Sequence, residues 1–227
     1  MQAPMTREVR IRSGDAWLYG DLVLAPGLFG MVLFVHGSGS GRHSARNRQV
    51  AQKLQRAGIA TLLFDLLTAQ EEQVDLHARE HRFNISPVTR RIQHATTWAT
   101  AQPELHHVPA GYVRASTVSA AAIVAAGPPG KRIAAIVSRG GRPDLAGPVA
   151  LAAVATPTLL IVGAADHGVI ELNEHALLRL TCEKKLAIVP GATHLFDERG
   201  ALELVAKLAT SGFSTHLARK ELIEHVS

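Results

Sequence analysis

The sequence predicts an α/β fold, a doubly wound and mostly parallel sheet with helices on both faces. Three observations carry this. Short apolar runs recur at Met31 to Val35, Ile59 to Phe64, Val108 to Ala115, Ile133 to Val137, Thr158 to Val162 and Lys185 to Val189, each the length of a buried strand. Segments of helical pattern lie between them, as crossover connections between parallel strands require. The first run passes into the glycine-rich loop Val35-His36-Gly37-Ser38-Gly39-Ser40-Gly41, the kind of strand-to-loop transition found at the ligand-binding edge of such sheets.

Taken in order, Val9 to Ile11 and Trp17 to Leu24 read as an opening hairpin turned by Ser13-Gly14-Asp15. After the strand Met31 to Val35, Ser44 to Ala57 has a helical pattern that stops at Gly58 and leads into Ile59 to Phe64. Thr68 to Asn84 is polar and charged, and is expected to be an exposed excursion above the sheet. Ser86-Pro87 is a start signal for a helix running to Ala101, before Pro103. The strand Val108 to Ala115 precedes an alanine-rich helix, Thr117 to Ala126, whose small side chains permit close packing. Ile133 to Val137 and Thr158 to Val162 are further strands, Glu171 to Leu180 a helix, Lys185 to Val189 the last strand and Gly200 to Ser211 a helix. Residues after Phe213 either extend that helix or form a separate one.

The 227 residues, 47% hydrophobic, suffice for one substantial core. A single domain is expected over 1–227, with a core of about 5–213 and a C-terminal helical extension at 214–227. Met1 to Arg12 carries Arg7, Glu8, Arg10 and Arg12 without an apolar stretch, so no secretory signal is read there, and Ala120 to Gly127 is too short to cross a bilayer. The protein is therefore expected to be cytoplasmic and to have no membrane partner. A single cysteine, Cys182, precludes an intrachain disulfide and reads as a structural thiol. The net charge of +5 raises a nucleic-acid partner, but the basic residues are scattered and aromatics make up only 4% of the chain. No nucleic-acid partner is expected.

Acyl transfer needs a nucleophile beside a base, a carboxylate to orient the base, and donors aimed at the oxyanion. Ser116 follows the strand ending at Ala115, Asp166 follows Thr158 to Val162, and His194 follows Lys185 to Val189. All three thus fall at the carboxyl edge of the predicted sheet, in the chain order Ser, Asp, His. The backbone N–H of Ser38, in the glycine loop, and that of Thr117 are the candidate oxyanion donors. Asp144 is a reserve carboxylate, and Ser119 a second candidate nucleophile in a shifted register.

The segments Val35-His36-Gly37-Ser38-Gly39-Ser40-Gly41-Arg42, Ala115-Ser116-Thr117, Ser138-Arg139-Gly140-Gly141-Arg142-Pro143-Asp144-Leu145, Leu159-Leu160-Ile161-Val162-Gly163 and Val189-Pro190-Gly191-Ala192-Thr193-His194-Leu195-Phe196 together resemble the bacterial dienelactone-hydrolase-like branch of the α/β-hydrolases. The likeness covers roughly residues 5–213. It implies a Ser or Cys nucleophile, an Asp and a His, acting on a small-molecule ester, lactone or related acyl substrate without a cofactor. By motif, Ser116, Asp166 and His194 take those roles. One segment departs from the pattern: where the family has Gly-x-Ser-x-Gly, this chain has Arg114-Ala115-Ser116-Thr117-Val118. A catalytically silent binding or scaffold protein on the same fold is therefore the alternative.

Other motifs have competing readings. The glycine loop lacks the Lys-Ser/Thr ending of a phosphate-binding loop and the spacing of a dinucleotide fingerprint. His77-Ala78-Arg79-Glu80-His81 matches a His-x-x-Glu-His zinc pattern, but it lies in a charged segment with no evident third ligand, and no metal is expected. His36, Arg42, Arg139 and Arg142 are candidate substrate-binding residues for an acidic substrate, with surface solvation or ion pairing read as the role of most of these side chains.

Overall fold

The computed structural model describes residues 3–36, 41–78, 85–116, 119–126 and 133–218. Eight strands form one sheet: β1 (Met5–Ser13), β2 (Ala16–Leu24), β3 (Gly30–Val35), β4 (Ile59–Phe64), β5 (Ala110–Ser116), β6 (Ile133–Gly141), β7 (Thr158–Gly163) and β8 (Lys184–Val189). Their spatial order is β1-β2-β4-β3-β5-β6-β7-β8. The opening hairpin is antiparallel and β2 meets β4 antiparallel, whereas β4, β3, β5, β6, β7 and β8 run parallel. This is the mostly parallel, doubly wound sheet expected of the sequence.

Burial along the strands explains the two kinds of pattern. β3 and β4 are buried at every position because helices cover both faces, whereas β1 alternates buried and exposed residues because only one face meets the core. On the solvent face of the hairpin, the guanidinium of Arg10 lies 4.5 Å from the centroid of the Trp17 ring, a cation–π contact between the two strands.

Helix α1 (Ala45–Arg56) and the C-terminal helix α7 (Ala201–Leu217) cover one face, burying Val50, Leu54, Val205, Phe213 and Leu217 with Phe34, Val113 and Ile161 of the sheet. Helices α3 (Ile85–Thr100), α4 (Ser119–Ala126), α5 (Gly147–Ala152) and α6 (His167–Arg179) cover the other, where Ile92, Ala122, Leu151 and Ala176 join the cluster of Leu33, Tyr112 and Ile136. At the start of α1, the Ser44 hydroxyl accepts the backbone N–H of Asn47, an N-cap that ties the chain after the glycine loop into a helix.

Three features differ from expectation, and a fourth decides between two open alternatives. Within the supposed excursion, Ala69–Ala78 is a helix, α2, and Asp75 on it is fully buried. Thr68 and Glu71 start it reciprocally: the Thr68 N–H donates to Glu71 Oε2 at 2.8 Å and the Glu71 N–H donates to Thr68 Oγ1 at 3.3 Å. Strand β6 continues four residues beyond Val137, to Gly141. It is followed by a 3₁₀ turn, Pro143–Ala146, and α5, neither of which the apolar pattern had marked. Helix α7 runs on past Phe213 to Leu217, which is fully buried. Among the described residues, no helix is long and apolar enough to cross a membrane.

Candidate active site

The site is built where the loops after β7 and β8 cross. Backbone bonds stitch them together: Ala164 N–H donates to Val189 O and Ala165 N–H to Ala192 O, both at 2.9 Å. The crossing depends on Gly163, because a Cβ there would come within 2.3 Å of the Ala192 carbonyl oxygen and 2.7 Å of that of Thr193. Asp166 occupies the N-cap position of α6 yet makes no cap hydrogen bond. Its carboxylate is turned instead to His194, whose Nδ1 donates to Asp166 Oδ2 at 2.7 Å. The proton on Nδ1 is assigned from this contact, which leaves Nε2 as an acceptor.

Two further anchors hold the imidazole. Phe196, two residues on, adopts φ +57°, a left-handed conformation that a bulky residue takes only under constraint, and its ring is buried. Thr193 donates from both its N–H (3.0 Å) and its hydroxyl (2.5 Å) to Glu198 Oε1, and these bonds hold the Glu198 carboxyl below its usual range. The loop that presents His194 is thus pinned on each side of the histidine.

The third element is the join between β5 and β6. Ala115 pairs with Arg139 and Ser116 with Gly141, so Gly140 is an extra, bulged residue between them, with φ +53°. Gly140 faces the histidine: a Cβ there would be 3.6 Å from His194 Cε1 and 3.2 Å from His194 O. Ser116 therefore ends its strand in register with the residue next to the one that faces the imidazole. Ser119 is the first residue of α4. The side chains of Ser116 and Ser119 lie outside the described residues, as do Ser38 and Thr117.

The expected substrate-binding residues have intramolecular commitments. Arg42 Nη1 meets Glu8 Oε1 at 2.7 Å and Asp21 Oδ1 at 3.1 Å, its Nε lies 3.3 Å from Asp65 Oδ2, and its N–H donates to Asp65 Oδ1 at 2.8 Å. Four contacts with three carboxylates make it a rivet between the chain after the glycine loop, strands β1 and β2, and the residue that follows β4. Arg142 forms a two-pronged pair with Asp144, at 2.9 and 2.8 Å, so the reserve carboxylate is spent on an arginine and not on the histidine. Arg139 is buried and donates to Asn47 Oδ1 at 3.1 Å, and burial lowers its pKa to about 10. His36 is buried at the end of β3. Of the zinc pattern, His77 is exposed and bonds through Nδ1 to the Gln73 carbonyl, while His81 lies outside the described residues. Among the described residues, no group of three or more His, Cys, Asp or Glu is placed to hold a metal.

A carboxylate-oriented imidazole at the carboxyl edge of a parallel sheet, beside the end of a serine-bearing strand, is equipped to take and return a proton during acyl transfer. No protein-family model matches the chain. A solved structure of dienelactone hydrolase from Anabaena variabilis is 51% identical in sequence, covers 94% of this chain and 99% of its own, and superposes with a TM-score of 0.90. The chain belongs to the dienelactone-hydrolase-like α/β-hydrolases.

More distant structures share the fold of this dienelactone-hydrolase-like chain. A dienelactone hydrolase-like promiscuous phosphotriesterase, P91, from metagenomic libraries has 18% identity and a TM-score of 0.76, covering 95% of this chain and 99% of its own. Est1E from Butyrivibrio proteoclasticus has 15% identity and a TM-score of 0.77, covering 93% and 99%. In sequence, proteins from two strains of Mycobacterium tuberculosis are 49% identical over 210 residues and are provisionally named phosphoribosyl transferases. That match covers 92% of this chain and 46% of theirs, so the chain spans about half the length of these curated relatives.

The departure from the family's elbow also has a structural account. Arg114, which replaces the first glycine, is fully buried, and alternation along β5 puts it on the sheet face of Tyr112. Burial lowers its pKa to about 9. Tyr112 itself is in the α3-side core, with its hydroxyl 2.7 Å from Thr96 Oγ1. This dienelactone-hydrolase-like chain thus accommodates an arginine within its core two residues before Ser116. The residues that sequence reasoning did not single out are Gly163, the bulged Gly140 and Asn173 of α6. The first two stood inside quoted motifs without a stated role, and Asn173 left no signal beyond being polar on an apolar helix face.

Proposed function

We propose that this chain is a hydrolase that cleaves an ester, lactone or similar acyl bond with Ser116 as nucleophile, His194 as base and Asp166 as the carboxylate that orients it. The observation that carries this reading is the 2.7 Å bond between His194 Nδ1 and Asp166, made at the sheet edge where β5 ends in Ser116. His194 Nε2 takes the Ser116 hydroxyl proton as Oγ attacks the carbonyl carbon. The backbone N–H groups of Ser38 and Thr117 stabilise the tetrahedral oxyanion. His194 then passes the proton to the leaving oxygen. In the second half a water, deprotonated by the same imidazole, attacks the acyl carbon, and the imidazole returns that proton to Ser116 Oγ as the acyl–Oγ bond breaks.

The substrate is a small acyl compound, and the reaction as written balances without a cofactor. The protein acts in the cytoplasm. The transferase name of the mycobacterial relatives does not direct this reading, because the chain accounts for 46% of those proteins, whereas a dienelactone hydrolase covers 94% of this chain and is itself covered to 99%.

A fluorophosphonate probe tests it. Wild type and Ser119→Ala are expected to be labelled and to hydrolyse p-nitrophenyl acetate, and Ser116→Ala to do neither. Loss of labelling in Ser119→Ala alone would move the nucleophile to residue 119. Wild type that neither labels nor turns over would favour a binding or scaffold protein on the same fold.

A further inference from the structure

Asn173 is fully buried on α6, two turns beyond Asp166. A helix interior on an apolar face is an unfavourable place for an amide, and this one has a specific job for its donors. Nδ2 donates to the carbonyl of Val169 on its own helix at 2.8 Å and to the carbonyl of Gly141 at 3.0 Å. Two carbonyls on one side fix which end of the amide is nitrogen. Oδ1, on the other side, has no donor among the described residues.

Gly141 is not an arbitrary acceptor. It is the register partner of Ser116 and the residue after the bulged Gly140, where a Cβ would lie 3.6 Å from His194 Cε1. One side-chain amide therefore joins the helix that begins at Asp166 to the strand end that flanks both the serine and the imidazole. We propose that Asn173 is a positioning residue: its bond to Gly141 holds the hooked end of β6, and so sets the distance between the Ser116 strand and the His194–Asp166 pair. It touches no reacting atom and acts through Gly141. The inference rests on the hydrolase reading above.

Asn173→Leu keeps the volume and removes both donors, and Asn173→Asp keeps the shape while replacing Nδ2 with oxygen. In either variant kcat for p-nitrophenyl acetate should fall roughly 10- to 100-fold, the loss that a small misplacement of reacting groups causes. KM should stay within about twofold, because substrate binding is not what the amide serves. The acid limb of the kcat/KM pH profile should also move, since the setting of the His194 ring changes with β6; a role in stability alone would leave that limb in place. An unchanged kcat in either folded variant, or a fall in kcat with the limb unmoved, overturns the proposal.

Wild type supplies a measurement that does not depend on a variant folding. Asn173 is one of three asparagines in the chain, so ¹⁵N-asparagine labelling resolves its side-chain amide. Its resonances should shift when a fluorophosphonate occupies Ser116, and unmoved resonances overturn the proposal. If wild type is neither labelled nor active, the hydrolase reading fails and takes this inference with it. If wild type is active and Asn173→Leu is equally active, only this inference fails.

Discussion

Gly163 and Ala192 meet backbone to backbone, so closely that a single added carbon on the first would stand 2.3 Å from the carbonyl oxygen of the second. No flexible side chain is available to give way, so the loops after β7 and β8 must part. Because these loops carry Asp166 and His194, Gly163→Ala is expected to lower stability by about 1–3 kcal/mol, the usual cost of overpacking, and to lower kcat with it. Differential scanning calorimetry and steady-state hydrolysis of p-nitrophenyl acetate check the two effects. Wild-type melting and turnover in this variant would mean that the loops reach the same arrangement without the glycine.

Asp166 spends its carboxylate on His194 in preference to capping α6. Asp166→Asn keeps the shape and removes the charge that favours a proton on Nδ1. For a carboxylate in this role, kcat is expected to fall by about 10⁴-fold with little change in KM. The helix should lose little, since no cap bond is broken. A comparison of kcat with urea-unfolding midpoints separates the two effects, and a variant that unfolds early while keeping its kcat would assign Asp166 to structure.

Arg42 holds three carboxylates, two from strands β1 and β2 and one from the residue after β4. Arg42→Met leaves Glu8, Asp21 and Asp65 without their shared cation. The cluster is only partly buried, so its loss is expected to cost about 2 kcal/mol, below that of a fully buried network. Arg42→Lys should recover little, because a single ammonium cannot reproduce the spread of guanidinium contacts. Urea denaturation measures both.

The Arg91 guanidinium grips both oxygens of Glu71 at 2.7 Å and holds that carboxyl at about pKa 2, against 4.5 for a free glutamate. A carboxyl depressed in the folded state contributes stability that is complete above the unfolded pKa and disappears as the pH falls through the folded one. The stability difference between wild type and Arg91→Met should therefore be constant above about pH 5 and shrink as the pH falls from 4.5 towards 2. Chemical denaturation across that range tests the sign. A difference that grows on acidification would contradict the pairing.

Much of the architecture was legible because strands and helices announce themselves by period and length. Ile59 to Phe64 is a strand at its expected bounds, and Ser44 caps a helix that ends before Gly58, because apolar runs and capping hydroxyls act over a few residues. The α2 helix was missed although Thr68 and Glu71 have capping-box spacing, since a helix with polar residues all round shows no apolar stripe. Ion pairing was an expected role for Arg42 and Arg142, but their partners were not legible, for a different reason. A cation's partner is set by what the fold brings to it, and Glu8, Asp21 and Asp65 are brought to Arg42 from far along the chain.

Local chemistry along the chain was enough for the parallel sheet, for the family likeness, and for placing Ser116, Asp166 and His194 at or just beyond the carboxyl ends of strands. Those properties depend on near neighbours and on which faces are apolar. That His194 bonds to Asp166 and not to Asp144, that Gly140 bulges against the imidazole, and that Asn173 reaches Gly141 were decided only once the strands lay side by side. Such contacts depend on distances of a few tenths of an ångström between segments remote in sequence, and only close packing of the folded chain sets distances that small.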